Sequence, residues 1–417
     1  MSIPQNLQRG VMYMDFKPST VVTELPGNYF NAMKAKIALY RSKGIDVIDL
    51  ASGNPDQPTP QHIINALKEA VDKPENQGYP PFYGKTGTLE AIAAFYKREY
   101  NVELDPETEV AVFNGSGIGV TGIPQSLLNP GDILLTADPA YPAYHAAAAL
   151  ARARVHTIPV YEREGFLPDY STVPEEIARQ VKLLMLNYPN NPTGAVATEE
   201  FFERTLAFAA AYEFPVLNDF AYGAFGFDGH KPLSLLQQPG GKEYGVETYT
   251  ASKTYNMAGW RFGFAAGNAS IIAALKHYHT QAYSTVFGAV QDAAVAALLG
   301  PQEVVQELGK LYERRRDVLV SRLRDIGWDV TAPKGTFFAW FKVPEGYTGE
   351  SFAGRLLDEA QVAVAQGSGF GAQGSSYIRL SLVNSEEKLN EAVDRIAAAG
   401  IFKRAMSAWG QEAGTHD

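Results

Sequence analysis

The distribution of apolar residues divides the chain into two regions. From Pro60 to about Gly288, helical segments alternate with short runs of consecutive apolar residues. Strands buried on both faces have this pattern, whereas strands with one exposed face alternate apolar and polar residues. We therefore predict an α/β fold whose large domain has a mostly parallel, seven-stranded sheet between helices. The predicted strands are residues 110–113, 132–137, 155–160, 183–186, 216–218, 247–250 and 262–265.

The pattern changes after about Gln291. A long helical stretch reaches Ile326, and predicted strands follow at residues 336–343, 362–365 and 377–383 with helices between them. This arrangement predicts a smaller α+β domain. The predicted limits are 1–45 for an N-terminal arm and a helix (28–43) that joins the small domain, 46–290 for the large domain and 291–417 for the C-terminal small domain.

Composition excludes several classes of protein. The chain has 417 residues, 46% of them hydrophobic, which rules out general disorder. Its net charge of −10 and the absence of basic runs give no basis for nucleic-acid binding. Without cysteine, thiolate metal sites are excluded, and His277 and His279 are predicted to be separate surface residues, so we predict no metal site. No apolar run could span a membrane and no signal-peptide core is evident, so we expect a cytoplasmic enzyme without a membrane partner.

Two glycine-rich loops match the pattern GxGxxG, which is weak evidence alone. The loop Gly369–Gly374 precedes a predicted strand, so it cannot aim a helix at a phosphate. The loop Gly117–Gly122 follows a predicted strand and opens a helix, where free backbone amides of residues 115–117 and the helix dipole favour an anion. This predicts a phosphate site but leaves the ligand open, and an NAD(P)-binding oxidoreductase is one alternative.

Three further motifs follow predicted strands. They are Asn191-Pro-Thr-Gly194, Asp219-Phe-Ala-Tyr222 and the segment from Ser252-Lys253 to Arg261-Phe-Gly263. Ligands bind at the carboxyl ends of strands in open α/β sheets. Together these motifs resemble those of the pyridoxal-phosphate-dependent aminotransferases of class I/II (fold type I), from about Ile45 to Ala398. Other segments look like the bacterial glutamine-dependent 4-methylthio-2-oxobutanoate aminotransferases, the bacilysin-pathway aminotransferase and, more distantly, the diaminopimelate aminotransferases.

The resemblance implies pyridoxal 5'-phosphate as cofactor and assigns residues to it. Lys253 would bind the cofactor aldehyde covalently, and Asp219 would keep the pyridine nitrogen protonated. Asn191 and Tyr222 would donate hydrogen bonds to the phenolic oxygen, and Tyr141 would stack on the ring. The remaining cofactor-binding residues are assigned to the phosphate: Gly115, Ser116, Gly117, Thr250, Ser252 and Arg261.

The resemblance also assigns the substrate contacts. Arg379, in Tyr377-Ile-Arg379, would bind the substrate α-carboxylate, with Gly53 opposite it and Asn191 beside it. Tyr79 would reach the phosphate of a neighbouring subunit, although Tyr83 could take its place. This last role implies a homodimer with shared active sites.

The implied activity is transfer of an amino group from an L-amino acid, such as glutamate or glutamine, to a 2-oxo acid by a ping-pong cycle. We expect a neutral methionine-type or aromatic acceptor, because the motifs place no second arginine for a distal carboxylate and segment 25–30 brings aromatic rings to the family's mobile lid. Alternatively, Arg9, Arg41 or Lys85 serves such a carboxylate. A C–S β-lyase on the same fold and a non-catalytic binding protein are further alternatives.

Overall fold

The computed structural model describes residues 15–402 of the chain. The strands are β1 (Ile48–Asp49), β2 (Val110–Phe113), β3 (Ile133–Asp138), β4 (Arg154–Pro159), β5 (Val181–Leu186), β6 (Val216–Asp219), β7 (Gly245–Thr250), β8 (Gly263–Gly267), β9 (Phe338–Lys342), β10 (Val362–Ala363), β11 (Ala365–Gln366) and β12 (Tyr377–Ser381). The helices are α1 (Thr20–Glu24), α2 (Tyr29–Ser42), α3 (Gln61–Val71), α4 (Thr86–Tyr100), α5 (Ser116–Leu127), α6 (Ala143–Leu150), α7 (Glu175–Ala178), α8 (Glu199–Tyr212), α9 (Gly241–Tyr244), α10 (Ala251–Thr254), α11 (Ala269–Ala282), α12 (Gly288–Leu299), α13 (Glu303–Asp325), α14 (Gly349–Ala360) and α15 (Glu386–Ala398).

Seven strands form the central sheet in the order β2-β8-β7-β6-β5-β3-β4. Strand β8 is antiparallel to both of its neighbours, and the other pairs are parallel. Almost every residue of strands β2, β3, β5, β6, β7 and β8 is buried, as expected for strands covered by helices on both faces. The prediction of a mostly parallel, seven-stranded sheet is therefore confirmed.

The C-terminal region forms a smaller α+β unit, also as predicted. Strands β11, β12 and β9 make an antiparallel sheet. The single strand predicted over 362–365 is two short strands, because β10 pairs with β1 while β11 pairs with β12. Strand β1 lies inside the predicted large domain, yet its Ile48 packs in the core of the C-terminal region. The exact domain limits stay a prediction.

Capping and proline set several helix ends. Helix α2 begins after Asn28, whose side chain accepts a hydrogen bond from the Asn31 amide, and Thr198 caps α8 in the same way. The long helical stretch predicted after 291 is two helices, α12 and α13, because Pro301 disfavours helical geometry at Gly300. Over residues 15–402, no helix has the length and apolar character needed to cross a membrane.

One surface prediction was wrong. His279, on α11, is buried, because it lies one helical turn after buried Leu275 on the same face. His277, two residues earlier, is exposed to solvent, as predicted. Within the described range, no group of three histidine, aspartate or glutamate side chains is placed to hold a metal ion.

Candidate active site

A cavity of about 600 Å³ lies where the parallel strands end. Strands β5, β6 and β7 all end at this edge, and helix α5 begins there, while α2, β9 and β12 close the other side. The wall brings together most of the predicted site residues, namely Gly53, Ser116, Gly117, Tyr141, Asn191, Asp219, Tyr222, Thr250, Ser252, Lys253, Arg261 and Arg379. Gly115 lies directly beside this group, whereas Tyr79 lies outside it.

Lys253 projects from α10, immediately after β7. Its ammonium donates a hydrogen bond of 3.1 Å to the Gly53 carbonyl oxygen and lies 5.3 Å from the centre of the Phe337 ring. Burial, reinforced by the positive charges of Arg379 and Arg261, lowers the pKa of Lys253 to about 8. A lysine with this pKa has an accessible neutral amine near neutral pH, which is the form that attacks an aldehyde.

Asp219 ends strand β6 and is buried at the floor of the cavity. Its carboxylate accepts hydrogen bonds from the Tyr144 hydroxyl at 2.9 Å and from the Thr248 hydroxyl at 3.2 Å. Burial outweighs these donors and raises the pKa of Asp219 to about 6. A buried carboxylate without a full counter-charge is suited to pair with a cation that enters the cavity.

Asn187 holds the loop that carries Asn191. The side-chain NH2 of Asn187 donates a hydrogen bond to the main-chain oxygen of Asp219. The side-chain oxygen of Asn187 accepts a 2.7 Å hydrogen bond from the main-chain N–H of Asn191. The Asn191 side-chain oxygen in turn accepts a 2.8 Å hydrogen bond from Arg379. Asn191 is therefore fixed between the end of the central sheet and the small domain.

The start of α5 and Arg261 form a compact cluster of hydrogen-bond donors. Gly115 caps the helix with φ of 91°, and a side chain there would overlap the Arg261 guanidinium. A side chain on Gly263 would overlap the Ser116 amide. These contacts show that the guanidinium and the first amides of a 12-residue helix are close together. Such a cluster is suited to bind a phosphate.

Thr250 and Ser252 add hydroxyl groups near this cluster. The Thr250 hydroxyl accepts from the Ser252 amide at 3.1 Å and lies 2.9 Å from the Ser252 hydroxyl. Both residues are buried. They fix the turn that leads from β7 to Lys253.

Arg379 is the most buried basic group of the cavity wall. Only 2% of its surface is exposed. Its guanidinium donates to Asn191 and to the Ala51 carbonyl oxygen at 2.9 Å, and its Nε has no hydrogen-bond partner among the described residues. Burial lowers its pKa to about 10. Three rings lie 3.9, 4.8 and 5.4 Å from the guanidinium carbon: Phe338, Phe370 and Phe30. A buried guanidinium with an unused donor is suited to bind a carboxylate.

Aromatic side chains cover much of the remaining wall. The Tyr141 ring meets the Tyr144 ring edge-to-face at 5.8 Å and lies 6.0 Å from the Phe30 ring. Phe30 comes from α2, which is anchored by a 3.1 Å hydrogen bond from the Tyr29 hydroxyl to the Gln366 carbonyl oxygen. The end of segment 25–30 therefore forms part of the cavity wall, while its movement as a lid stays a prediction.

Two of the alternative cations for a distal carboxylate, Arg41 and Lys85, are not on this wall. Arg41 donates to the Val47 carbonyl oxygen at 3.1 Å, and Lys85 pairs with Asp292. Arg9 lies outside the described residues. The wall contains instead Lys34, which the sequence motifs did not indicate.

Tyr79 and Tyr83 lie on the surface of the chain. Tyr79 is 96% exposed and Tyr83 is 41% exposed, with the Lys276 ammonium 5.3 Å from the Tyr83 ring. Neither residue lines the cavity of its own chain. A role for either one in a neighbouring subunit stays a prediction.

Comparison with known proteins agrees with this geometry. Residues 45–396 match the family model described as aminotransferase class I and II. The L-glutamine--4-(methylsulfanyl)-2-oxobutanoate aminotransferase of Bacillus subtilis is 53% identical over 93% of this chain and 98% of its own length. Transaminase BacF of the same organism is 44% identical over 92% of this chain and 96% of its own. The substrate-bound structure of BacF superposes with a TM-score of 0.89 at 42% identity, covering 92% of this chain and 98% of that one.

These matches decide between the main alternatives. The family model includes the Gly117–Gly122 loop, which therefore belongs to an aminotransferase fold rather than to a nicotinamide dehydrogenase. The relatives and the solved structures match nearly the whole chain, including both the central sheet and the small sheet. The chain belongs to the class I and II aminotransferase family of fold type I, whose members transfer an amino group between an amino acid and a 2-oxo acid.

Proposed function

We propose that this aminotransferase binds pyridoxal 5'-phosphate in the cavity and moves an amino group from glutamate, glutamine or a similar L-amino acid to a neutral 2-oxo acid of methionine or aromatic type. The observation that carries the proposal is the meeting of Lys253, Asp219 and Arg379 in one cavity. A nucleophilic amine, a buried carboxylate and a buried guanidinium are the groups that the cofactor and an α-carboxylate require.

The cavity residues fit the cofactor group by group. The donors at the start of α5, with Arg261, Thr250 and Ser252, would hold the phosphate. Burial raises the pKa of Asp219 to about 6, and a protonated ring nitrogen would stabilise its ionised form. Tyr222 would donate to the phenolic oxygen. When bound, the cofactor's ring withdraws electrons and stabilises negative charge at the substrate α-carbon.

The side chains of the chain would bind the substrate and move the proton. Arg379 binds the α-carboxylate, opposite Gly53 and beside Asn191, and thereby fixes the direction of the Cα–H bond. The Lys253 amine, with a pKa of about 8, then takes the proton from the α-carbon. Burial of both groups strengthens these charge interactions by excluding water.

The aromatic wall supports a neutral acceptor. Phe30, Met33, Tyr141 and Phe338 face the cavity, and apolar side chains of a substrate gain about 25 cal/mol for each Å² that they bury there. A distal carboxylate packed among these rings without a partner would cost several kcal/mol. The relative named for 4-(methylsulfanyl)-2-oxobutanoate has a neutral acceptor of this type and supports the same choice here.

Exposed aromatic residues support a homodimer. Tyr79, Phe82 and Tyr83 lie within one short segment and are 96%, 47% and 41% exposed, and Phe287 is 45% exposed. Clustered exposed rings are typical of protein–protein interfaces. In the proposed dimer, Tyr79 or Tyr83 contacts the cofactor phosphate of the partner subunit, so each site is completed by both chains.

A panel of donors and acceptors tests the activity. The purified enzyme is given glutamate or glutamine as donor, with 4-methylthio-2-oxobutanoate, phenylpyruvate or oxaloacetate as acceptor, and methionine as donor with phenylpyruvate or oxaloacetate. We expect the highest kcat/KM with the two neutral acceptors. A clear preference for oxaloacetate contradicts the neutral-acceptor proposal. Release of pyruvate and a thiol from a cysteine conjugate, without amino transfer, identifies a C–S β-lyase instead.

A further inference from the structure

The cavity wall has one more basic side chain than the proposed function uses. Among residues 15–402, the basic side chains on this wall are Lys34, Lys253, Arg261 and Arg379, and the one acidic side chain is Asp219. Arg261 is assigned to the cofactor phosphate, Arg379 to the α-carboxylate and Lys253 to the cofactor itself. Lys34 has no assigned partner. Surplus positive charge in a cleft attracts a further anionic group of the ligand.

Helix α2 places Lys34 next to the substrate region. Lys34 follows Phe30 by four residues, so the two side chains share a helix face and are separated by about 6 Å along the axis. The Phe30 ring is 5.4 Å from the Arg379 guanidinium carbon and 6.0 Å from the Tyr141 ring. Helical side chains lean towards the N-terminus, which brings Lys34 towards the turn of Phe30.

A five-carbon dicarboxylic acid has a second anionic group that this arrangement can bind. Its two carboxylates are roughly 5 Å apart, since each carbon–carbon bond is ~1.5 Å. The Phe30 ring lies 5.4 Å from the Arg379 guanidinium carbon, and Lys34 follows Phe30 by one helical turn on the same cavity wall. A ligand whose α-carboxylate is bound by Arg379 can therefore extend past Phe30 towards Lys34.

We propose that Lys34 binds the distal carboxylate of glutamate or its 2-oxo acid and, more weakly, the amide oxygen of glutamine. This inference rests on the proposed function and assigns a specificity residue to it. Lys34 is exposed at the rim of the cavity. Its long side chain can turn into solvent when an apolar substrate side chain fills the aromatic part of the wall. One cavity then accepts both an acidic donor and a neutral acceptor.

Substitutions of Lys34 test this role in the holoenzyme. Lys34→Met keeps the length of the side chain and removes its charge, while Lys34→Arg retains the charge. Lys36→Met is the matched control, because Lys36 lies on the same helix but lines a separate groove beside Glu350. With a common neutral acceptor, kcat/KM is measured for glutamate, glutamine and methionine as donors.

We expect Lys34→Met to lower kcat/KM for glutamate roughly 5-fold to 20-fold, mainly through KM, which is the scale of a partly exposed charged hydrogen bond. The decrease in kcat/KM for glutamine is smaller, and kcat/KM for methionine changes less than about 2-fold. Lys34→Arg retains most of the wild-type kcat/KM for glutamate, and Lys36→Met leaves kcat/KM unchanged for all three donors. Raising the salt concentration from about 50 mM to about 500 mM reduces the difference in kcat/KM for glutamate between wild type and Lys34→Met, because salt screens the charge of Lys34.

Equal losses for glutamate and methionine, or no loss for glutamate, overturn the role of Lys34. A wild-type enzyme that uses methionine but not glutamate also overturns it while leaving the proposed amino transfer intact. A wild-type enzyme without amino transfer to any acceptor in the panel refutes the proposed function itself. The two failures are therefore distinguishable.

Discussion

Replacement of Asp219 by asparagine changes stability and activity in opposite directions. Asparagine keeps the shape of the side chain but removes its charge. In the chain without cofactor, burial raises the pKa of Asp219 from 3.8 to about 6. At ~1.4 kcal/mol per unit, the ionised carboxylate destabilises the folded state by about 3 kcal/mol at pH 8.

The sign of the pH dependence follows from the direction of the shift. Because the folded state retains this proton more strongly, the contribution of Asp219 to the stability of the cofactor-free chain falls as pH rises from about 4 to about 6 and then stays low. The Asp219→Asn substitution itself lowers the stability of the folded state by about 1 kcal/mol. The reason is that the asparagine NH2 group faces a hydroxyl, of Tyr144 or Thr248, that donated a hydrogen bond to the carboxylate. We therefore expect the cofactor-free variant to be about 1–2 kcal/mol more stable than wild type at pH 8, and this advantage to be about 1.5 kcal/mol smaller at pH 5.

Urea unfolding of the cofactor-free proteins at pH 8 and pH 5 measures this difference. In the loaded enzyme, the same substitution removes the partner of the ring nitrogen, and we expect the chemical step to slow by about 10² or more. The electrostatic reasoning is refuted if Asp219→Asn is less stable than wild type at both pH values. It is also refuted if the increase in the free energy of unfolding is the same at pH 5 and pH 8. An unchanged single-turnover rate refutes the catalytic assignment.

Two further substitutions test other parts of the site. Arg379→Lys preserves the positive charge but not the planar guanidinium that binds a carboxylate through two hydrogen bonds. We expect KM for every amino acid to rise at least 10-fold, with little change in cofactor affinity measured by fluorescence titration. A change confined to cofactor affinity contradicts the assignment of Arg379 to the substrate. Gly115→Ala places a side chain on a residue with φ of 91°, where it would overlap the Arg261 guanidinium. The backbone strain is about 1–3 kcal/mol, and we expect the Kd for pyridoxal 5'-phosphate to rise about 10-fold or more. An unchanged Kd excludes the proposed phosphate site. Gly131→Ala is its control, since it imposes a similar φ of 90° at a position with open space around it that does not line the cavity.

The central sheet was predictable because its strands are buried on both faces. Several, such as β2 and β5, appear in the sequence as runs of apolar residues, and β2 occupies the predicted residues 110–113. The division of β10 from β11 was not predictable, because it depends on a change of pairing partner at Val364 rather than on local composition. Burial of His279 is a similar case, since its polar side chain lies on an otherwise apolar helix face.

The candidate site was predictable where a motif marks the end of a strand. Lys253 and Asp219 are of this type. Thr248 was missed because its contact with Asp219 arises from the register between β6 and β7. Tyr144, one helical turn after a predicted site residue, could have been found from its spacing. Lys34 could not, because only the packing of α2 against the small domain brings it to the cavity.

Covalent labelling shows whether Lys253 anchors the cofactor in this cavity. The protein is incubated with pyridoxal 5'-phosphate, reduced with sodium borohydride, digested and mapped by mass spectrometry, with Lys253→Gln as control. The account predicts one phosphopyridoxyl group per chain, on the peptide that contains Lys253, and none at this position in the control. Labelling mainly on a different lysine, such as Lys34, or equal labelling of the control, would contradict it.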